Sequence, residues 1–219
     1  MPQSLDKEIF LRIFPVPYET ILRLDAYRER LIFWNDKMNL VAPSTISQIW
    51  VRHFLDSAQL MPLIPEEATS VADLGSGAGF PGLVLSILAK ETKKNLHVFA
   101  IESTGKKAEF LATVAEELGL EVSVKRERIE TIKNLKADII TARALTALPE
   151  LLKYANRLIK KDSLCLFLKG RKATEELTEA EKYWTFNTTI HKSLSDESGK
   201  ILVIKNLQYK RRSSVSLRR

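Results

Sequence analysis

Residues 71–82 read VADLGSGAGFPG. A short apolar run closes on Asp73 and Leu74, and Gly75, Gly77, Gly79 and Gly82 then fall within eight positions. The whole chain holds only eight glycines, so half of them sit in this one turn. The pattern predicts a β-strand that stops at Leu74, a glycine turn, and a helix opened by Pro81, whose missing N–H costs nothing in a first helical turn. Strand, glycine turn and helix in that order form the device by which an α/β sheet holds a nucleotide-like ligand, because the backbone can approach with no Cβ in the way.

Outward from that turn, strand and helix patterns alternate. Strands are predicted at 70–74, 96–101, 121–125, 138–141, 163–168, 185–191 and 200–206, and helices at 81–91, 104–118, 149–160 and 172–183. Repeated βα units imply right-handed crossovers and a largely parallel, Rossmann-like seven-stranded sheet covered on both faces. The last two strands have no helix between them, and Gly199 in DESGK marks a turn, so they read as an antiparallel hairpin. Upstream, residues 18–38 place Ile21, Leu24, Leu31 and Trp34 at helical spacing, and Ser44 is a candidate N-cap for a second helix over 44–61. The expected organisation is a helical cap (1–65), an α/β domain (66–207) and a basic tail (208–219).

Composition narrows the class. A chain of 219 residues, 45% hydrophobic and 28% charged, reads as a soluble globular domain with a small appendage. No apolar run approaches the roughly 20 residues that span a bilayer. The start, MPQSLDKEIF, lacks a secretory pattern, so the cytoplasm is the expected compartment. A single cysteine, Cys165, excludes an internal disulfide and a cysteine metal cluster, and His53, His97 and His191 show no metal-ligand spacing, so no metal is expected. Net charge is +7, but Lys210, Arg211, Arg212, Arg218 and Arg219 crowd the last eleven residues, and subtracting these five leaves +2 elsewhere. Such a tail is either a solvated run or an arm that adds salt-dependent affinity for nucleic acid.

The glycine turn alone does not choose its ligand. Gly77 to Gly82 fits the G-x-G-x-x-G dinucleotide spacing, with Glu102 twenty residues further on, so an NAD(P)-dependent oxidoreductase is a rival reading. Asp73 at the strand end favours S-adenosylmethionine, since an acid there suits an ammonium and repels a pyrophosphate. Glu102 after the second strand can accept from both ribose hydroxyls, and no second nucleotide-binding half follows. In isolation either acid also reads as a turn or helix N-terminal residue. A non-catalytic RNA-binding module with a relic cofactor fold is the rival from outside the enzymes.

The string Asp73-Leu-Gly-Ser-Gly-Ala-Gly-Phe-Pro-Gly82 resembles the glycine motif of the ribosomal RNA small subunit methyltransferase G family, also called GidB. Further matches follow in order: Asn39-Leu40, Arg52-His53-Phe-Leu-Asp56-Ser57, Glu102-Ser103 with Lys106-Lys107, Arg128-Ile129-Glu130, Ala142-Arg143-Ala144 and Leu168-Lys169-Gly170. The resemblance implies a class I methyltransferase fold, S-adenosylmethionine as donor, and 7-methylguanosine in the 530 loop of 16S rRNA as product, with the small ribosomal subunit as partner; a monomer is the expected working form. The resemblance also implies that Gly75, Gly77, Gly79 and Phe80 hold the donor, Glu102 its ribose, and Ile129 and Glu130 its adenine. Arg143 then stands where donor and acceptor meet. Two positions depart from the family pattern: Glu102-Ser103 replaces Asp-Ser, and Ala142-Arg143-Ala144 replaces Ser-Arg-Ala.

Guanine N7 carries an in-plane lone pair and no proton, so methylation there needs positioning rather than a general base. Arg143 is the expected positioning group, with O6 or phosphate as its target, since a bond to N7 would block the nucleophile. Lys169, Arg52 and His53 are the expected RNA contacts. Competing structural readings pair Arg143 with Glu130, pack Arg52 and His53 against Asp56, and leave Lys125, Arg126 and Arg128 as a solvated run. No aromatic-basic interleaving marks a stacking platform for single strands.

Overall fold

The computed structural model describes residues 3–92 and 95–210. Its strands are β1 (Ser70–Leu74), β2 (His97–Ile101), β3 (Val122–Lys125), β4 (Ala137–Arg143), β5 (Ile159–Lys169), β6 (Trp184–Lys192) and β7 (Lys200–Tyr209). They form one sheet in the order β3-β2-β1-β4-β5-β7-β6. The first five are parallel, whereas β7 runs antiparallel to both β5 and β6. All five residues of β1 are buried because the strand is central and covered on both faces, which is why it reads as an apolar run rather than an alternation. The register sets Leu74 level with Ile101 and Ala142, and Arg143 level with Leu168, so the exits of β1, β2, β4 and β5 share one edge.

The cap departs from expectation. Helix α1 (Gln3–Ile13) precedes α2 (Tyr18–Asn35), which stops short of residue 38 because the Asn35 side chain turns back to accept the Leu40 and Val41 amides, each at 2.9 Å. The single helix expected over 44–61 is instead a tight 3-10 turn (Pro43–Gln48), a wide π-helical turn (Trp50–Leu55) and the one-turn α3 (Asp56–Ala58), with Ser44 inside the first rather than capping it. The Asp6 carboxylate of α1 accepts the Trp50 amide at 2.8 Å and the Val51 amide at 3.2 Å, taking donors that a continuous α-helix bonds to its preceding turn.

Helices α4 (Gly82–Glu91) and α5 (Gly105–Glu117) share an apolar cluster with the cap, built on Tyr27, Trp50, Phe54, Leu83, Ile87 and Phe110. Pro81 precedes α4 as its cap rather than lying in the first turn. Helices α6 (Leu148–Leu158) and α7 (Ala173–Glu181) pack against Leu74, Ile140, Phe167 and Leu202 in a second cluster. Strand β7 carries the domain to Tyr209, past the expected boundary at 207, and Arg211 to Arg219 of the basic tail lie outside the described residues.

The leading edge of the sheet is clamped by Asp138. Its Oδ2 accepts the Thr69 and Ser70 amides, both at 3.1 Å, and the Ser70 hydroxyl at 2.6 Å, while Lys160 Nζ donates to Oδ1 at 2.6 Å. Desolvation pulls this carboxyl upward, but the bonds from Lys160, Ser70 and Thr69 outweigh it and hold its pKa well below the usual range.

Candidate active site

At the opposite, trailing edge the chain leaves β1 through the glycine turn. The Ser76 amide donates to the Ile101 carbonyl at 3.0 Å, tying the turn to β2, and Gly79 N–H donates to the Ser76 carbonyl at 2.7 Å. Gly77 has φ +55°, and a Cβ added there would meet only the Gly75 carbonyl oxygen at 3.7 Å. A Cβ on Gly75 would instead lie 2.5 Å from Leu145. From above, the Tyr27 hydroxyl of α2 donates to the Ala78 carbonyl, and the Phe80 ring packs 5.4 Å from the Tyr27 ring. The turn is therefore held by the cap as well as by the sheet.

Beside the turn lies a cavity of about 420 Å³. Gly75, Gly77, Phe80, Glu102, Ile129, Glu130 and Arg143 line it, as expected from the sequence, whereas Gly79 does not. Glu102 Oε2 accepts the Gly77 amide at 3.0 Å and Oε1 accepts the Thr104 amide at 2.7 Å, leaving each oxygen a further lone pair for a hydroxyl. Leu40, Lys107, Arg128, Leu145 and Tyr154 also line the cavity. Nothing local in the sequence marked Leu145, whose approach to Gly75 is tertiary, and Arg128 belongs to the rim rather than to a solvated run. An open glycine backbone facing a carboxylate with spare lone pairs fits the ribose and amino-acid ends of S-adenosylmethionine.

Asp73 occupies another place than expected. It is fully buried and absent from the cavity lining, where the sequence reading had it meeting an ammonium. Thr141 Oγ1 donates to Asp73 Oδ1 at 2.8 Å, and the Gly82 amide approaches Oδ2 at 3.3 Å. Burial raises its pKa to about 6 against the lowering effect of these bonds. Asp73 thus braces the turn and the start of α4 from beneath.

Arg143 ends β4. Its Nη1 reaches three acceptors on one stretch of the cap: the Arg52 carbonyl at 3.2 Å, His53 Nδ1 at 2.9 Å and Asp56 Oδ2 at 3.3 Å. Its guanidinium carbon lies 4.6 Å from the Phe80 ring centroid. The acid beside it is therefore Asp56, supplied by the cap, and not Glu130. His53, expected at RNA, is only 8% exposed; it stacks on Phe80 at 4.9 Å and 18°. Burial, followed by the charges of Arg143 and Arg52, lowers its pKa to about 3.

The other two expected RNA contacts are also engaged. Arg52 Nη1 donates to Asp196 Oδ2 at 2.9 Å but stays exposed at the surface. Lys169 donates to the Thr146 carbonyl at 2.6 Å and to Glu176 Oε2 of α7 at 2.7 Å, so its charge is already matched, although the partly buried residue lines a second cleft. The β6–β7 loop reaches back to the cap: Ser195 Oγ donates to Asp56 Oδ1 at 2.6 Å, and the Leu194 amide donates to Gln59 Oε1 at 2.7 Å. The second cleft, also about 420 Å³, opens between the ends of β4 and β5 and this loop. It shares Arg143, Ala144 and Leu145 with the first cavity. Ala144 holds φ +50° at that junction, an uncommon conformation for a residue with a Cβ.

Comparison with known proteins bears on the same residues. The family model described as rRNA small subunit methyltransferase G matches residues 20–208. A ribosomal RNA small subunit methyltransferase G of Rhodospirillum centenum is 46% identical over 193 residues, covering 88% of this chain and 87% of its own. That of Hyphomonas neptunium is 42% identical over 207 residues, covering 94% and 98%. Among solved structures, an O-methyltransferase of Bacillus cereus in complex with SAH superposes with a TM-score of 0.58 at 15% identity, covering 92% of this chain and 97% of that one. A tRNA methyltransferase of B. subtilis gives 0.53 at 19% identity over 68% and 64%. These structural likenesses establish the class I methyltransferase fold.

Proposed function

The chain belongs to the rRNA small subunit methyltransferase G family, and from that premise we propose that it methylates N7 of a guanine in the 530 loop of 16S rRNA. Membership decides between the two ligands that the glycine spacing left open, in favour of S-adenosylmethionine. When bound, that donor supplies an electrophilic sulfonium methyl. Gly75 and Gly77 would present backbone to it, Glu102 would accept from its ribose hydroxyls, and Ile129 and Glu130 would border its adenine, whereas Gly79, expected at the donor, faces Leu83 and Tyr27 instead. Phe80 and Arg143 close the end at which the acceptor arrives.

One observation carries the reading: the donor cavity and the second cleft meet at Arg143, Ala144 and Leu145. A base in that cleft reaches the donor only across this border. Arg143 carries a permanent positive charge there, held by the cap, and can turn its remaining N–H groups to guanine O6 or a backbone phosphate. The side chains at the border suit an acceptor without a proton to lose. His53 is neutral, but its Nδ1 lone pair already faces Arg143, and Asp56 faces Arg143 and Ser195. Neither is a free general base, and N7 requires none.

The test is incubation of the protein with labelled donor and undermethylated small subunits, followed by mapping of the modified base. A single label on guanine N7 in the 530 loop is the expected result. Label on another atom or base, or none, overturns the proposal.

A further inference from the structure

We propose that His53 is a positioning residue for Arg143, locked as a single imidazole tautomer whose bare Nδ1 orients the guanidinium toward the acceptor. The inference rests on the methyl-transfer reading above and adds a residue to it.

The bonding pattern leaves one proton assignment. Arginine has no acceptor, so the proton between Arg143 Nη1 and His53 Nδ1, 2.9 Å apart, belongs to Arg143. His53 Nδ1 is therefore unprotonated, and the neutral ring carries its proton on Nε2. That nitrogen lies 2.8 Å from Thr45 Oγ1, which donates its own hydroxyl proton to the Ala42 carbonyl at 2.7 Å and so keeps a lone pair for His53. A directed chain results: Arg143 to His53, His53 to Thr45, Thr45 to Ala42. Each link has one donor and one acceptor. A proton on Nδ1 would aim an N–H at a guanidinium; burial first, then the charges of Arg143 and Arg52, oppose a charged ring and outweigh the Arg52 backbone contact that favours it.

The same ring is fixed by packing. The imidazole stacks on Phe80 at 18°, and Phe80 also lies against the guanidinium. One aromatic side chain of the donor turn thus contacts both members of the pair, coupling their placement to the cavity. With Nη1 committed to the cap, Nε and Nη2 of Arg143 have no hydrogen-bond partner among the described residues. They form the planar two-donor edge that matches a substrate oxygen, and His53 sets its direction.

The experiment uses the full chain and two substitutions. His53→Phe keeps a ring on Phe80 and removes the acceptor; His53→Asn restores an acceptor near Nδ1. Donor affinity, kcat and KM for small-subunit rRNA, and the melting midpoint are measured for each, alone and with Arg143→Ala. His53→Phe is expected to lower kcat about tenfold to a hundredfold, with donor affinity within about twofold. His53→Asn should recover much of that loss, and in the Arg143→Ala background His53→Phe should cost nothing more. Wild-type kcat in His53→Phe, or losses that simply add to those of Arg143→Ala, overturn the proposal. Nitrogen-15 spectra of the unmodified protein give a readout independent of activity and of variant folding. A protonated Nε2 with bare Nδ1 at neutral pH is expected, and the opposite tautomer or an imidazolium overturns the assignment. Absence of methyl transfer by the unmodified protein overturns the functional reading instead, and leaves the tautomer to be decided by the spectra.

Discussion

Asp138 and Asp73 sit on adjacent strands of the sheet and face opposite conditions. At the leading edge Asp138 is partly exposed, accepts from Lys160, Ser70 and Thr69, and is held ionised. At the trailing edge Asp73 is fully buried, accepts from the neutral donors Thr141 and Gly82, and is pushed toward protonation. The first arrangement closes strand ends with a matched charge. The second spends stability on bracing a turn that must stay open on its far side. Damage at the leading edge should therefore reach the fold, and damage at the trailing edge the chemistry.

The sharpest test of that division is Gly77→Val. A branched side chain at φ +55° enters space beside the cavity, and calorimetric titration should find no measurable donor binding in a protein that still melts cooperatively. The αL strain itself costs only about 1–2 kcal/mol, so retained affinity would break the assignment of the turn. Next is Arg143→Ala, for which turnover on small-subunit rRNA should fall about a hundredfold to a thousandfold while the melting midpoint moves little; wild-type turnover would reduce Arg143 to a tie between β4 and the cap.

The two acids should then separate by pH. Asp73 has a folded pKa raised to about 6, so its contribution to stability is full below its ordinary value near 3.8 and is lost as pH rises through 6. Between pH 4 and pH 7 denaturant unfolding should show this loss as about 2 kcal/mol, absent in Asp73→Asn. Asp138 is shifted the other way, so its contribution is present above 3.8 and disappears as pH falls below it. Parallel pH profiles for the two variants would erase the contrast. At neutral pH, Asp138→Ala should cost about 1–2 kcal/mol through donors left unmatched, with activity per folded molecule unchanged. The smallest effect belongs to Arg30→Ala. Its exposed pair with Glu117, at 2.6 Å, links the cap to α5 away from both edges, and less than about 1 kcal/mol should be lost.

Periodicity and turn chemistry made the sheet legible. β1 coincides with its expected limits, and β2 to β7 begin or end within a few residues of theirs. The hairpin was marked by its missing helix and by Gly199. The cap was less legible because its shape comes from contacts far apart in sequence. Asp6 takes the amides of Trp50 and Val51, and no local pattern announces that a helix will be widened by a residue 44 positions earlier. The same holds at the site. The glycines, Glu102 and Arg143 could be named because each stands next to a strand end, whereas Ile129 and Glu130 came only with the family resemblance. The assignment of Lys169 to Glu176, and the burial of His53 between Phe80 and Arg143, depend on how helices and loop fold back over those ends.

The clasp between cap and β6–β7 loop also orders events in time. Its bonds join residues separated by 135, 139 and 144 positions: Gln59 to Leu194, Asp56 to Ser195 and Arg52 to Asp196. Contacts of that span form late, after the chain between them has been made and ordered. On the ribosome, a nascent chain that has released only the first five strands holds the glycine turn but lacks the loop that braces Asp56 against Arg143. The contact that fixes Asp56 beside Arg143 therefore depends on a segment made after every residue that lines the donor cavity.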